Sequence, residues 1–272
     1  MVRRIPIYFC FYLFFIGAVH CQVNKDSLKN ADFAVFLYNQ KLYDLAAQEY
    51  EKLTFIYPNE NKHLLNLFAC YRQLNQYEKI EQKSKVLNLN DSLILKEYLL
   101  SLALSDQIDI ANVIFKEKKS ILNPHTSQQM DIDFLMLESK WENANEILIL
   151  SNKNRPTYRE IINQGLNTKY KSPFTAGVLS AIIPGTGRVY AKDTKDGIIS
   201  LLFIGSTAFQ SYRRFQRNGV KSVGGWIYGG ISLGFYIANI YGSVKAVHRF
   251  NNNNKKLLHE KAKVVISNYY NP

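Results

Sequence analysis

LYNQKLYDLAAQEYEKLTFIYP, residues Leu37 to Pro58, sets Tyr43, Ala46, Tyr50 and Leu53 three and four residues apart and closes on a proline. That spacing puts the four side chains on one face of a helix, and Pro58 marks where the helix must have ended. The figure returns downstream. QLNQYEKIEQKSKVL carries Tyr77, Ile80 and Leu87; LSDQIDIANVIFKEK carries Ile108, Ala111 and Phe115; LESKWENANEILIL carries Trp141, Ala144 and Leu148. The leading positions, 43, 77, 108 and 141, are separated by 34, 31 and 33 residues. A period of this size is the mark of a helical repeat in which no single helix pair can bury its apolar face alone.

The repeats predict an all-α region from about residue 26 to 151, in four units. A small side chain at Ala46, Ala111 or Ala144 lets two helices approach closely, while Tyr43, Tyr50, Tyr77 and Trp141 fill the adjoining space. This pattern resembles tetratricopeptide repeats, with an aromatic opening the second helix, a small residue at the helix contact and a proline after the unit. The resemblance implies a helical solenoid, a protein-binding surface with no chemistry of its own. It is closest in the first unit; Ile80 stands where a small residue is usual, and Ser84 where Tyr50 stands. An irregular helical bundle is the other reading of the same residues. Pro58 and Pro124 both fall between units, so neither interrupts a predicted helix.

The chain of 272 residues carries a formal net charge of +12. All the excess lies between Lys169 and Lys263, where 15 Lys and Arg face three acids, Asp193, Asp196 and Glu260. The same region holds three long uncharged segments, Ser172–Gly187, Gly197–Tyr212 and Ser222–Val244. Basic residues beside apolar segments suit anionic lipid before nucleic acid. Hydrophobic content of 47% and a mean hydropathy of −0.19 exclude both a disordered chain and a protein of spans throughout.

MVRRIPIYFCFYLFFIGAVHCQ, at the N-terminus, joins Arg3 and Arg4 to an apolar run from Ile5 to Val19. It predicts a secretory signal cut after Cys21, spanning residues 1–21; an uncleaved anchor is the alternative. His20 fits poorly with lipoprotein cleavage before Cys21. With Cys10 and Cys21 in the signal, Cys70 is left alone and no internal disulfide is predicted.

From residue 157 to 171 a short amphipathic helix, ending near Gly165, and a basic linker are predicted. Then SAIIPGTGRVYAKDTKDGIISLLFIGS, Ser180 to Ser206, breaks an apolar run at Pro184. Pro184 ends one helix, Gly185 and Gly187 allow the positive φ of a reversal, and Asp196 is predicted to cap the next helix at Gly197. Tyr190 has a ring and a polar tip suited to a headgroup layer. Only Ser222–Val244 reaches the roughly 20 residues a span requires, and its glycines dilute its apolarity. Gly225 and Gly229, and Gly230 and Gly234, form small-xxx-small faces for helix packing and for a possible homo-oligomer.

PGTGRVY followed by KDGIISLLF resembles a small membrane module with a PGxGxxY turn and a glycine at the next helix start, here Pro184, Gly185, Gly187, Tyr190 and Gly197. FYIANIYGSVKAVHRFN, Phe235 to Asn251, is similar to bacterial envelope proteins that join helical repeats to that module. Thr186 and Ala191 depart from the commoner residues. The resemblance implies two spanning helices and membrane residence over residues 172–250, followed by a basic tail, 251–272. The +4 loop Arg213–Lys221 and the +5 tail Lys245–Lys263 cannot both obey the positive-inside preference if the third segment spans, so that segment is a span, a hairpin or a surface helix.

PGTG lacks the lysine and hydroxyl of a phosphate loop, and His63 and His125 have no metal-ligand partners at a sensible spacing. No enzyme and no cofactor are predicted. The sequence leads to an envelope scaffold with periplasmic repeats that bind proteins and a C-terminal module on membrane lipid. An oligomeric transport or channel component is the alternative.

Overall fold

The computed structural model describes residues 30–85 and 89–270. The predicted signal peptide, with Cys10 and Cys21, lies outside them, as does Leu87. Among the described residues every regular element is helical, as the all-α reading requires. The chain divides into two compact units, one holding residues up to Asn154 together with Lys263 onward, the other Arg155 to Ala262.

Among its described residues, the part of the first unit before Asn154 arranges eight α-helices in four consecutive pairs. α1 (30–39) precedes α2 (Tyr43–Ile56); α3 (Asn61–Gln73) precedes α4 (Tyr77–Lys85). α5 (Ser92–Leu104) precedes α6 (Ile108–Lys118), and α7 (Pro124–Leu137) precedes α8 (Trp141–Leu150). Successive helices pack on each other, and the first helices of neighbouring pairs also meet, α3 with α5 and α5 with α7. Asp91 caps α5 by accepting from the Leu93 and Ile94 amides at 2.8 and 3.2 Å. Asn123 does the same for α7 through the Thr126 amide at 2.7 Å, with Pro124 in the first turn where its missing N–H costs nothing.

Each pair turns through one left-handed residue: Lys41, Asn75, Asp106 and Ser139, with φ between 56° and 65°. The next amide then reaches back five residues to a carbonyl, Leu42 to Leu37, Gln76 to Tyr71, Gln107 to Leu102 and Lys140 to Leu135, at 2.8–3.0 Å. This is the Schellman end of a helix, and none of the four uses the usual glycine. Because no glycine marks them, these turns are not legible as helix ends in the sequence.

The second unit contains α9 (Pro156–Leu166), α10 (Pro173–Ile182), the single-turn α11 (Thr186–Tyr190), α12 (Thr194–Asn218) and most of α13 (Val223–Tyr270). Ser172 caps α10 through the Thr175 amide at 3.3 Å. Two expectations are corrected here. α13 continues unbroken through the segment read as a basic tail, because nothing between Lys245 and Tyr270 is a glycine or a proline. No helix among the described residues is long and apolar enough to cross a membrane. α12 and α13 have the length, but charges at both ends of α12 and the Gly, Ser, Tyr and Asn content of early α13 lower their apolarity below what a crossing needs.

The last turns of α13 belong to the first unit, so residues 26–151 are not the whole of that unit.

Candidate functional site

Within the first unit the repeat positions converge on the helix contacts. Ala46, Ile80, Ala111 and Ala144, each three residues into a second helix, are fully buried, and so is Ser84. Tyr50, Phe115 and Leu148, four residues further on, are buried too. Tyr43 and Tyr77 are half-buried, and Trp141 is buried with its indole N–H unpartnered. These side chains are packing, not a ligand surface. Cys70 is buried among them, and burial pushes its thiol up to about 12.

The polar face of the same unit lies on the first helices, and sequence reasoning missed it. Arg72 on α3 and Glu97 on α5 form a buried ion pair, with Lys96 Nζ 3.1 Å from the same carboxylate. Burial lowers Arg72 to about 10, which leaves it protonated at neutral pH. On α7, Asp133 is buried and accepts from Gln129 at 2.7 Å. This row is covered by the end of α13. The Tyr270 hydroxyl donates to Asp133 at 2.8 Å, Arg72 donates to the Tyr270 carbonyl at 3.3 Å, and Lys96 sits 5.8 Å from the Tyr270 ring. Lys263 pairs with Asp106 at 2.6 Å. The chain therefore seats a helical segment of its own on the face made by α3, α5 and α7.

In the second unit the turn motif forms a tight knot. Gly185 stands at φ +88° as the residue before α11, and a Cβ there would collide with the Gly197 carbonyl. Gly187 was expected to supply a second positive φ. It is instead helical, and what it needs is closeness, since a Cβ would run into the Ala176 carbonyl and Ser180 Oγ. Gly197 meets the turn from the other side, where a Cβ would lie 2.7 Å from the Gly185 carbonyl. Pro184 sits just after α10, whose last hydrogen bond is made by Ile183.

Asp196 does not cap α12. The helix starts at Thr194, so Asp196 is already in its first turn, and its carboxylate pairs with Arg188 at 2.9 Å. Tyr190 faces the linker: its hydroxyl accepts from the Ser172 amide at 3.2 Å, and its carbonyl accepts from Lys171. Asn251 clamps the same linker, accepting from the Lys171 amide at 2.9 Å and donating to its carbonyl at 2.8 Å.

Behind the knot runs a buried polar chain. The Gly187 amide donates to Ser180 Oγ at 3.0 Å, Ser180 and Ser243 share a hydrogen bond of 2.6 Å, and Ser243 donates to the Asn239 carbonyl at 2.8 Å. Arg188 lies over Gly242, where a side chain would displace its guanidinium. Of the small-xxx-small faces, Gly225 and Gly229 receive Phe215 and Ser211 of α12, while nothing approaches Gly230 or Gly234. Around this core many large apolar side chains are exposed, including Ile198, Leu202, Phe209, Trp226, Ile227 and Leu233.

No protein-family model, curated protein or solved structure matches this chain. Among the described residues no group of His, Cys, Asp and Glu could hold a metal ion. The two geometries therefore carry the functional reading by themselves.

Proposed function

We propose that the protein is a non-enzymatic scaffold of a bacterial cell envelope, exported by its N-terminal segment, whose helical repeats bind protein partners and whose C-terminal module rests on membrane lipid. The observation that carries this reading is the polar row of α3, α5 and α7, which holds a helical segment through Arg72 and Asp133. A partner helix presenting the same backbone carbonyl and tyrosine hydroxyl would bind this surface by displacing the end of α13 that covers it. The tetratricopeptide resemblance points the same way.

Membrane association is supported by the exposed Leu202, Phe209, Trp226 and Ile227, with Arg213, Arg214 and Arg217 close by in sequence. Apolar side chains flanked by arginine suit a helix lying in the interface of an anionic bilayer, which needs no span. An oligomeric transport or channel component is the alternative reading, and no helix among the described residues is long and apolar enough to cross a membrane. Flotation of the full chain with vesicles containing anionic phospholipid is the direct test. The expected result is co-flotation that weakens with salt. A chain left at the bottom of the gradient at low salt overturns the membrane half of the reading.

A further inference from the structure

α13 changes character at Lys263. The stretch KKLLHEKAK, Lys255 to Lys263, is made of strong helix formers apart from His259, whereas VVISNYY, Val264 to Tyr270, contains none. Val and Ile lose χ1 freedom in a helix, and Ser and Asn favour caps and turns. The change falls where the chain leaves the second compact unit for the first. Contacts with the first unit supply what the sequence withholds. Ile266 is fully buried, Lys263 pairs with Asp106 at 2.6 Å, and Ser267 shares a hydrogen bond with the Tyr77 hydroxyl. The Tyr270 hydroxyl donates to Asp133 at 2.8 Å, and its carbonyl, among the last of the helix, accepts from Arg72 at 3.3 Å. Lys263, Ile266, Ser267 and Tyr270 follow one another at helical spacing, so they meet the face together only while the segment is helical.

We propose that residues 264–270 are an autoinhibitory strap, helical only while docked on α3, α5 and α7 and released as an unstructured tail when a partner helix takes the face. The strap deepens, and rests on, the reading of this face as a protein-binding surface. Docking must first order a segment that does not order itself, which keeps the closed state only modestly favoured. A partner's apparent affinity falls by the fraction of chains that are open, so the strap sets a threshold for binding. The segment also states what the partner presents on one helix face: a lysine, an aliphatic residue at the place of Ile266 and a tyrosine at the place of Tyr270. A partner whose remaining turns are good helix formers has less ordering to offset than the strap, and so displaces it.

The test uses the full chain, with amide hydrogen exchange read by mass spectrometry and the anisotropy of a labelled peptide of residues 255–270. In the wild type, the amides of 264–270 are expected to be about tenfold or more less protected than those of 255–262. Val264→Ala with Asn268→Ala changes two exposed positions and touches no docked side chain. Through helix propensity alone it should raise protection of 264–270 and weaken peptide binding, each by about fivefold. Tyr270→Ala should lower that protection and strengthen peptide binding by about tenfold or more; the alanine pair decides the matter if Tyr270→Ala does not fold. Protection of 264–270 equal to that of 255–262, or unchanged in the alanine pair, overturns the strap. Equal peptide affinity in all three chains overturns the strap while leaving the face a binding surface. A strap that opens as expected, with no peptide bound to the Tyr270→Ala chain, overturns the protein-binding reading and the inhibitory role with it. A wild-type dimer that the peptide disperses would assign the face to a second copy's tail and overturn the strap within one chain.

Discussion

Ala46 has no exposed surface, and its methyl group sits where two helices of the first unit meet. Extra methylenes in such a contact force side chains off their rotamers at a cost of about 1–3 kcal/mol. Ala46→Leu is therefore expected to lower the urea midpoint of the full chain, and a wild-type midpoint would refute this placement of the repeat. Ser139 is the opposite case. It holds φ 61° without being glycine, and its hydroxyl is buried with no partner. Ser139→Gly removes both penalties and, after the greater freedom of glycine in the unfolded chain is subtracted, should stabilise by about 0.5–1 kcal/mol. A thermal melt reads that gain, and a loss of stability would mean the turn is not the helix end described above. Both residues are visible in the sequence, but only Ala46 announces itself there, because its repeat spacing is a pattern whereas a left-handed serine looks like any other.

At the scale of elements, the α10–α12 knot was legible as a turn but not in its mechanism. Pro184 and Gly185 read correctly as a break with a positive φ. Gly187 and Gly197 need their missing side chains for close approach, which depends on what another helix brings near and cannot be seen from spacing. Gly185→Val with Gly187→Val should cost about 1–3 kcal/mol per strained or colliding residue. Asp196→Ala should cost about 0–1 kcal/mol, because it removes a largely exposed ion pair with Arg188 and no helix cap. Denaturant unfolding of the two variants gives the order. If Asp196→Ala proves the more damaging, the carboxylate has a role beyond pairing with Arg188.

For the molecule as a whole, the last turns of α13 complete the first unit. Removing residues 263–272 uncovers Arg72, Glu97 and Asp133 and takes away the acceptor and donor supplied by Tyr270. The truncated chain is expected to show faster amide hydrogen exchange on α3, α5 and α7, and a synthetic peptide of residues 263–272 should slow it again. Unchanged exchange on those helices would mean that the terminal segment contributes nothing to them. The same experiment opens the surface on which the proposed partners would bind.

Periodicity alone determined that the first unit is helical and paired, because the spacing of Tyr43, Tyr77, Ile108 and Trp141 is a local property that backbone geometry converts directly into helices. Local chemistry likewise determined that the chain breaks at Pro184. Tertiary structure decided the rest. Arg72 and Glu97 are 25 residues apart, and Asp133 and Tyr270 137 apart, so no local pattern joins them. Asn239 is one polar residue in an apolar run until the tertiary structure buries its amide without a partner. Membrane crossing was overestimated for a related reason: length and absence of charge are easily read from sequence, whereas the free energy of a span depends on the apolarity of every side chain along the helix.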